Sequence, residues 1–323
     1  MGRLGEAFDE ETFTVPEAQS VGVSHGTLTR LVAAGALVRV ARGLYVVPRA
    51  EHAWIDRLRG LLESRPGVAA CSVTAAQLTV VAIPPEAVTP AVLATRSAGW
   101  TTEPDLVHLC GIEGFDVPHW RMPGVRFVRS SVPASHVVEV RSGIRVTDPI
   151  RTALDLARGR DLACALVPLD SVLRRLLRAG FPLAVARSLV SERCDRMTSY
   201  PGVRALRRAV GFMHPGAETA LESLVRGRLI DAGIEGIRIQ LAVTGASGRE
   251  YRVDLAIEME PGRYVIIEAD GLGKYAESTD LAKEKVRQHD LESRGHGVVR
   301  VMYREAAYAP SAFIERVRAA LAG

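Results

Sequence analysis

The apolar positions between Thr14 and Pro48, in TVPEAQSVGVSHGTLTRLVAAGALVRVARGLYVVP, change their period partway along. Up to Gly35 they fit helices. Thr14 is placed to cap a short helix with Pro16 in its first turn and Gly22 at its end. Ser24 then caps a second helix in which Leu28, Leu31 and Val32 form one stripe and Gly35 follows the last turn. From Leu37 the pattern alternates through Val38 and Val40, Arg42-Gly43 makes a turn, and Leu44 to Val47 returns before Pro48 closes the strand. The prediction over residues 1–50 is a helix–turn–helix followed by a two-stranded wing. The exposed face of its second helix carries His25, Thr27, Thr29 and Arg30, groups suited to base edges or phosphates in a major groove. Arg39 and Arg42 on the wing are placed to hold the backbone. The same fold also serves protein contacts.

Residues 51–210 read as an α+β region. A helix is expected over 52–64, strands near 106–110 and 125–128, and a hairpin in HVVEVRSGIRV turned at Ser142-Gly143. Asp148-Pro149 caps a helix holding Arg151 and Leu154, and further apolar helices run over 166–177 and 183–190. His108, His119, His136, Asp155 and Asp170 lie here without ligand spacing and are read as surface or core-satisfying groups.

From residue 211 the order of elements is αβββαβα: helix 217–232, strands near 237–243, 251–258 and 263–269, helix 279–293, strand 298–303 and a terminal helix. Gly245-Ala246-Ser247-Gly248 and Glu260-Pro261-Gly262 supply the turns of a three-stranded meander. Asp254 enters the second strand, and alternation sets Glu268 and Asp270 on one face of the third. A carboxylate inside an apolar strand is costly unless paired or bound to a cation, so converging carboxylates point to a magnesium or manganese site, with Glu222 on the preceding helix as a further oxygen ligand. Glu218, Glu258 and Glu260 are assigned to solvated faces.

Two resemblances attach to these motifs. The LVRVARGLYVVP stretch with its glycine-ended helix, and the DPIRTALDLA segment, resemble the DNA-binding and linker domains of AbiEi-family antitoxins. Residues 218–304, with LESLVR, VDL and IIEADG, resemble the branch of the PD-(D/E)XK nucleases related to very-short-patch-repair endonucleases. The second resemblance implies a restriction-endonuclease-like fold with Glu222, Asp254, Glu268, Asp270 and Lys274 as catalytic residues. It implies Mg2+ or Mn2+ held by Asp254, Glu268 and Glu222, while Lys285 and Arg287 face DNA. Lys274 stands where many relatives carry histidine, and Glu268-x-Asp270 replaces the usual E-x-K.

The expected fold class is therefore α+β multidomain, with parts at 1–50, 51–210 and 211–323. The main functional expectation is a protein that binds double-stranded DNA and cuts or nicks it in defence or repair with a divalent metal. The alternative is a transcriptional regulator or antitoxin of a type IV toxin–antitoxin system, with an idle nuclease fold and a nucleotidyltransferase toxin as partner. Homodimerisation stays open, since no heptads mark an interface.

Composition adds little to this. The 323 residues are 47% hydrophobic, enough for more than one core. No run of eighteen apolar residues and no hydrophobic block near Met1 occurs, so a cytoplasmic protein without membrane contact is expected. Cys71, Cys110, Cys164 and Cys194 are too far apart for a zinc ribbon or redox pair and are read as core thiols. Net charge is +4, and the only lysines are Lys274, Lys283 and Lys285.

Overall fold

The computed structural model describes residues 4, 7, 13–34, 36–41, 43–47, 53–84, 106–115, 124–140, 143–198, 200–270 and 278–323. Arg42, Ser142, His119 and Lys274 lie outside them. The chain forms two compact units: residues 1–80 with 87–152, and residues 81–86 with 153–323. No helix among the described residues is long and apolar enough to cross a membrane.

The first unit opens with β1 (Phe13–Thr14), α1 (Val15–Ser20) and α2 (His25–Ala33), followed by β2 (Val38–Ala41) and β3 (Leu44–Val46). Thr14 and Glu17 form a reciprocal capping box on α1, and Ser24 accepts the Thr27 amide at the start of α2. The strands order as β1-β3-β2, all antiparallel, around the turn at Gly43, whose φ of +78° demands glycine. Leu28 packs with Phe13, Ala18, Leu37 and Tyr45 in a small core, with the Phe13 and Tyr45 rings stacked at 6.1 Å. Val40 and Val46 instead join Trp54, Leu58 and Leu62 of α3 (Ala53–Glu63), so the hairpin shares a core with the region expected to be separate.

Around α3 lies a five-stranded mixed sheet of order β6-β5-β4-β8-β7, formed by β4 (Val68–Ala70), β5 (Val107–Ile112), β6 (Val125–Val132), β7 (Val137–Val140) and β8 (Ile144–Thr147). Its central strand β4 and the helix α4 (Ser72–Thr79) were not expected from the sequence. Three residues of Val-Ala-Ala are too few to show a period, and α4 is buried on most sides, so it has no polar stripe.

α5 (Pro149–Ala157), with the Arg151 amide bonded to Asp148, spans the division between the units. The second unit continues with α6 (Leu162–Arg178), α7 (Leu183–Asp195), α8 (Val203–Phe212) and α9 (Ala220–Asp231). It is completed by β9 (Arg238–Thr244), β10 (Glu250–Glu260), β11 (Arg263–Asp270), α10 (Ser278–Ser293), β12 (Gly297–Met302), α11 (Tyr303–Tyr308) and α12 (Pro310–Ala322). The sheet order is β12-β11-β10-β9, an antiparallel meander with β12 added parallel to β11. The terminal helix is in two pieces because Pro310 cannot continue the helix before it.

Ala163, Cys164 and Val167 of α6 pack in one core with Leu224, Leu255 and Phe313. The compact units divide the chain near residue 152. α6 crosses α9 so closely that a Cβ on Gly227 would overlap the backbone of Ala163. Beside that crossing, Asp170 takes both its oxygens to Arg226 Nη2 at 2.9 and 2.8 Å and accepts the His214 amide at 2.7 Å. Arg226 also donates to the Phe212 carbonyl. All four cysteines are buried thiols.

Neutralising one partner of this buried pair strands the other charge. Asp170→Asn is therefore expected to cost about 3–5 kcal/mol, read by urea unfolding of the full chain. A loss below about 1 kcal/mol, the range of exposed pairs, would show that the pair does not hold the crossing.

Candidate functional site

Two groups of residues expected to be functional come together in the structure. The first is the surface of α2. Because Leu28 faces the core, His25, Thr29 and Arg30 are exposed and Thr27 is half-buried. The hydroxyls are already engaged within the helix. Thr27 Oγ1 lies 3.0 Å from Ser24 Oγ and receives Arg30 Nη2 at 3.3 Å, and Thr29 donates to the His25 carbonyl at 3.1 Å. His25 and Arg30 are the groups best able to reach outward. Arg39 is exposed on β2.

The second is a set of carboxylates on the sheet of the second unit. β10 and β11 pair Leu255 with Ile267, and the same antiparallel register sets Asp254 opposite Glu268. Asp254 Oδ2 accepts the Ala269 amide at 2.9 Å. Glu268 is buried, and its Oε1 receives Arg287 Nη2 of α10 at 2.8 Å. Asp270, two positions on, lies 3.4 Å from Arg300 Nη1 of β12. Glu284 joins both arginines, at 2.7 Å to Arg300 and 3.6 Å to Arg287. The carboxylates and guanidiniums thus alternate across three elements.

Glu222 is not part of this chain of charges. Its Oε2 accepts from Gln240 Nε2 at 2.9 Å and from the Glu218 amide at 2.8 Å. Gln240, with φ +53°, stands between the pairs Leu241↔Val253 and Ile239↔Leu255, across the sheet from Asp254. Lys285 is exposed on α10. Arg287, expected to face DNA, gives its guanidinium to Glu268, Glu284 and the Arg252 carbonyl. Arg300 and Glu284 were not expected at all: Arg300 reaches Asp270 only because β12 docks parallel to β11, and no local motif announces that pairing.

A divalent metal of the kind implied by the nuclease resemblance keeps several waters and takes one or two carboxylates whose oxygens are free to point at it. In the structure the carboxylates named for it already have partners. Glu268 Oε1 faces Arg287, Asp254 Oδ2 faces a backbone amide, and Glu222 faces Gln240. Among the described residues no three of His, Cys, Asp or Glu come together as a metal-holding group.

Two carboxylates in register share an electrostatic problem. Burial, opposed by Arg287 and reinforced by Asp254 and Glu284, pushes the Glu268 carboxyl up to about 7. A carboxyl whose folded pKa is raised adds stability that is complete below its unfolded value of 4.5 and is lost as the pH rises through about 7. Glu268→Gln removes that dependence. In EDTA, its stability relative to the unchanged protein is expected to rise between pH 5 and pH 8 by on the order of 1–3 kcal/mol, measured by urea unfolding. A difference that is flat or falls with pH would mean that Glu268 is ionised throughout.

Comparison with known proteins bears on the first group. Residues 7–48 match the family model described as "Transcriptional regulator, AbiEi antitoxin". Two relatives, the uncharacterized proteins MT2308 and Rv2248 from two strains of Mycobacterium tuberculosis, are each 28% identical over 228 residues, 65% of this chain and 79% of theirs. The crystal structure of the RV2827C protein from the same species aligns with 72% of this chain and 83% of its own, at 15% identity and a TM-score of 0.34. The N-terminal match spans α1, α2 and the hairpin, the elements that carry His25, Arg30 and Arg39.

Proposed function

We propose that the protein is a sequence-specific DNA-binding regulator of the AbiEi antitoxin kind, in which residues 1–50 act as a winged helix with α2 in the major groove. The observation that carries this reading is the coincidence of the family match at 7–48 with a helix–turn–helix whose second helix buries Leu28 and exposes His25 and Arg30. Arg30 is a base-reading or phosphate-holding side chain, and Arg39 on the hairpin holds the backbone. In the second unit a restriction-endonuclease-like sheet serves as a scaffold, its carboxylates compensated by Arg287 and Arg300. The partner restrained by such a regulator is a nucleotidyltransferase toxin.

The test is a gel carried out on the DNA upstream of its own gene, with Mg2+, Mn2+ or EDTA, beside Arg30→Ala and Glu268→Ala. The expected result is a shifted band without cleavage under all three conditions, with specific affinity reduced by about 1–3 kcal/mol in Arg30→Ala and unchanged in Glu268→Ala. Metal-dependent cutting that disappears in Glu268→Ala would overturn the reading in favour of a nuclease.

A further inference from the structure

The first fifty residues carry five arginines and five acids, a net charge of zero. Binding to duplex DNA draws much of its affinity from neutralised phosphates. On the regulator reading, that positive charge has to come from elsewhere in the chain. Residues 171–213 hold nine arginines and only two acids, Glu192 and Asp195, for a net +7. Since the whole chain is +4, everything outside this segment sums to −3. The positive charge of the protein is therefore concentrated in the C-terminal half of α6, in α7 and in α8, three helices that pack on one another.

The arginines are also placed to be used. Arg175 and Arg178 on α6 and Arg204, Arg207 and Arg208 on α8 are exposed, as is Arg196 just after α7. Of these, Arg196 lies 3.8 Å from Glu192, Arg207 3.5 Å from Asp195 and Arg208 3.2 Å from Asp231 of α9. Arg175, Arg178 and Arg204 meet no carboxylate among the described residues. This differs from the sheet of the same unit, where Arg287 and Arg300 are spent on internal acids. Guanidinium groups spread over several helices suit the regular phosphates of a duplex, each able to take two phosphate oxygens at once.

We propose that the helical segment Ser171–Met213 is a sequence-independent docking surface for the phosphate backbone of duplex DNA, supplying affinity while the helix–turn–helix supplies sequence preference. This rests on the DNA-binding reading above, and the following measurement separates the two. Binding of the full chain to a labelled duplex of arbitrary sequence, and to the DNA upstream of its own gene, is followed by fluorescence anisotropy across a salt series. The proteins compared are the unchanged chain, Arg175→Gln/Arg178→Gln/Arg204→Gln, the same three positions changed to lysine, and Arg30→Ala.

Each lost phosphate contact lowers the slope of log affinity against log salt by about 0.9. The glutamine triple is expected to bind this duplex more weakly, with a slope shallower by about 2.7. The lysine triple should keep the slope, and Arg30→Ala should change binding to the upstream DNA more than to the arbitrary duplex. If the glutamine triple keeps its slope, or the lysine triple loses as much as the glutamine triple, the docking surface is refuted and the helix–turn–helix reading stands. If the glutamine triple loses affinity while Arg30→Ala shows no change on any DNA, the surface stands and the assigned role of α2 fails. If the unchanged chain binds no DNA, both fail.

Discussion

Asp170 and Arg226 lie 56 residues apart and meet inside the second unit, where both are buried. The pair is tolerable because its hydrogen-bonding capacity is directed: the carboxylate also takes the His214 amide, and the guanidinium also reaches the Phe212 carbonyl. That geometry fixes α6 against α9 and ties down the end of α8. Gly227, one residue beyond Arg226, lets the two helix backbones touch at Ala163. Glu222 lies one turn before Arg226 on the same helix, so its approach to Gln240 on β9 follows from the same crossing. The arginine-bearing helices α6 and α8 meet α9 at this pair.

The sheet's carboxylates illustrate how a buried acid can be stabilised in more than one way. Converging carboxylates can hold a divalent cation, but they can equally be compensated by guanidinium groups. Here Arg287 and Arg300 approach Glu268 and Asp270 from a helix and a neighbouring strand, and Glu284 links the two. Burial raises the Glu268 carboxyl most, and Asp254 and Glu284 add to it, so the pH response concentrates there. On the proposed regulator reading, such an arrangement lets the sheet serve as a scaffold.

Affinity and sequence preference for DNA are separable physical tasks, since phosphate contacts position a protein and base contacts specify it. On the proposed DNA-binding reading, a charge-neutral N-terminal segment and a strongly basic helical segment in the same chain divide the two tasks. The helix–turn–helix can then be selected for which bases it reads without also having to carry the electrostatic attraction.

Much of the local structure was legible in the sequence. Thr14 and Ser24 announced the starts of α1 and α2, Gly43 the hairpin turn, and the glycine-rich turns with alternating apolar residues the meander of the second unit. α8 was not read from the sequence: Leu206, Ala209 and Val210 repeat at helical spacing, but the arginines between them hid it. β4 and α4 left no such trace because burial on most sides removes the polar half of the pattern. Asp254, Glu268 and Asp270 could be picked out as carboxylates in apolar strands, but not the arginines that meet them. Capping, turn chemistry and hydrophobic period act between residues a few positions apart, and a sequence therefore determines them directly. Which guanidinium compensates which carboxylate, and where one compact unit ends, depend on contacts between distant residues, and only the packing of helices on the sheet decides those.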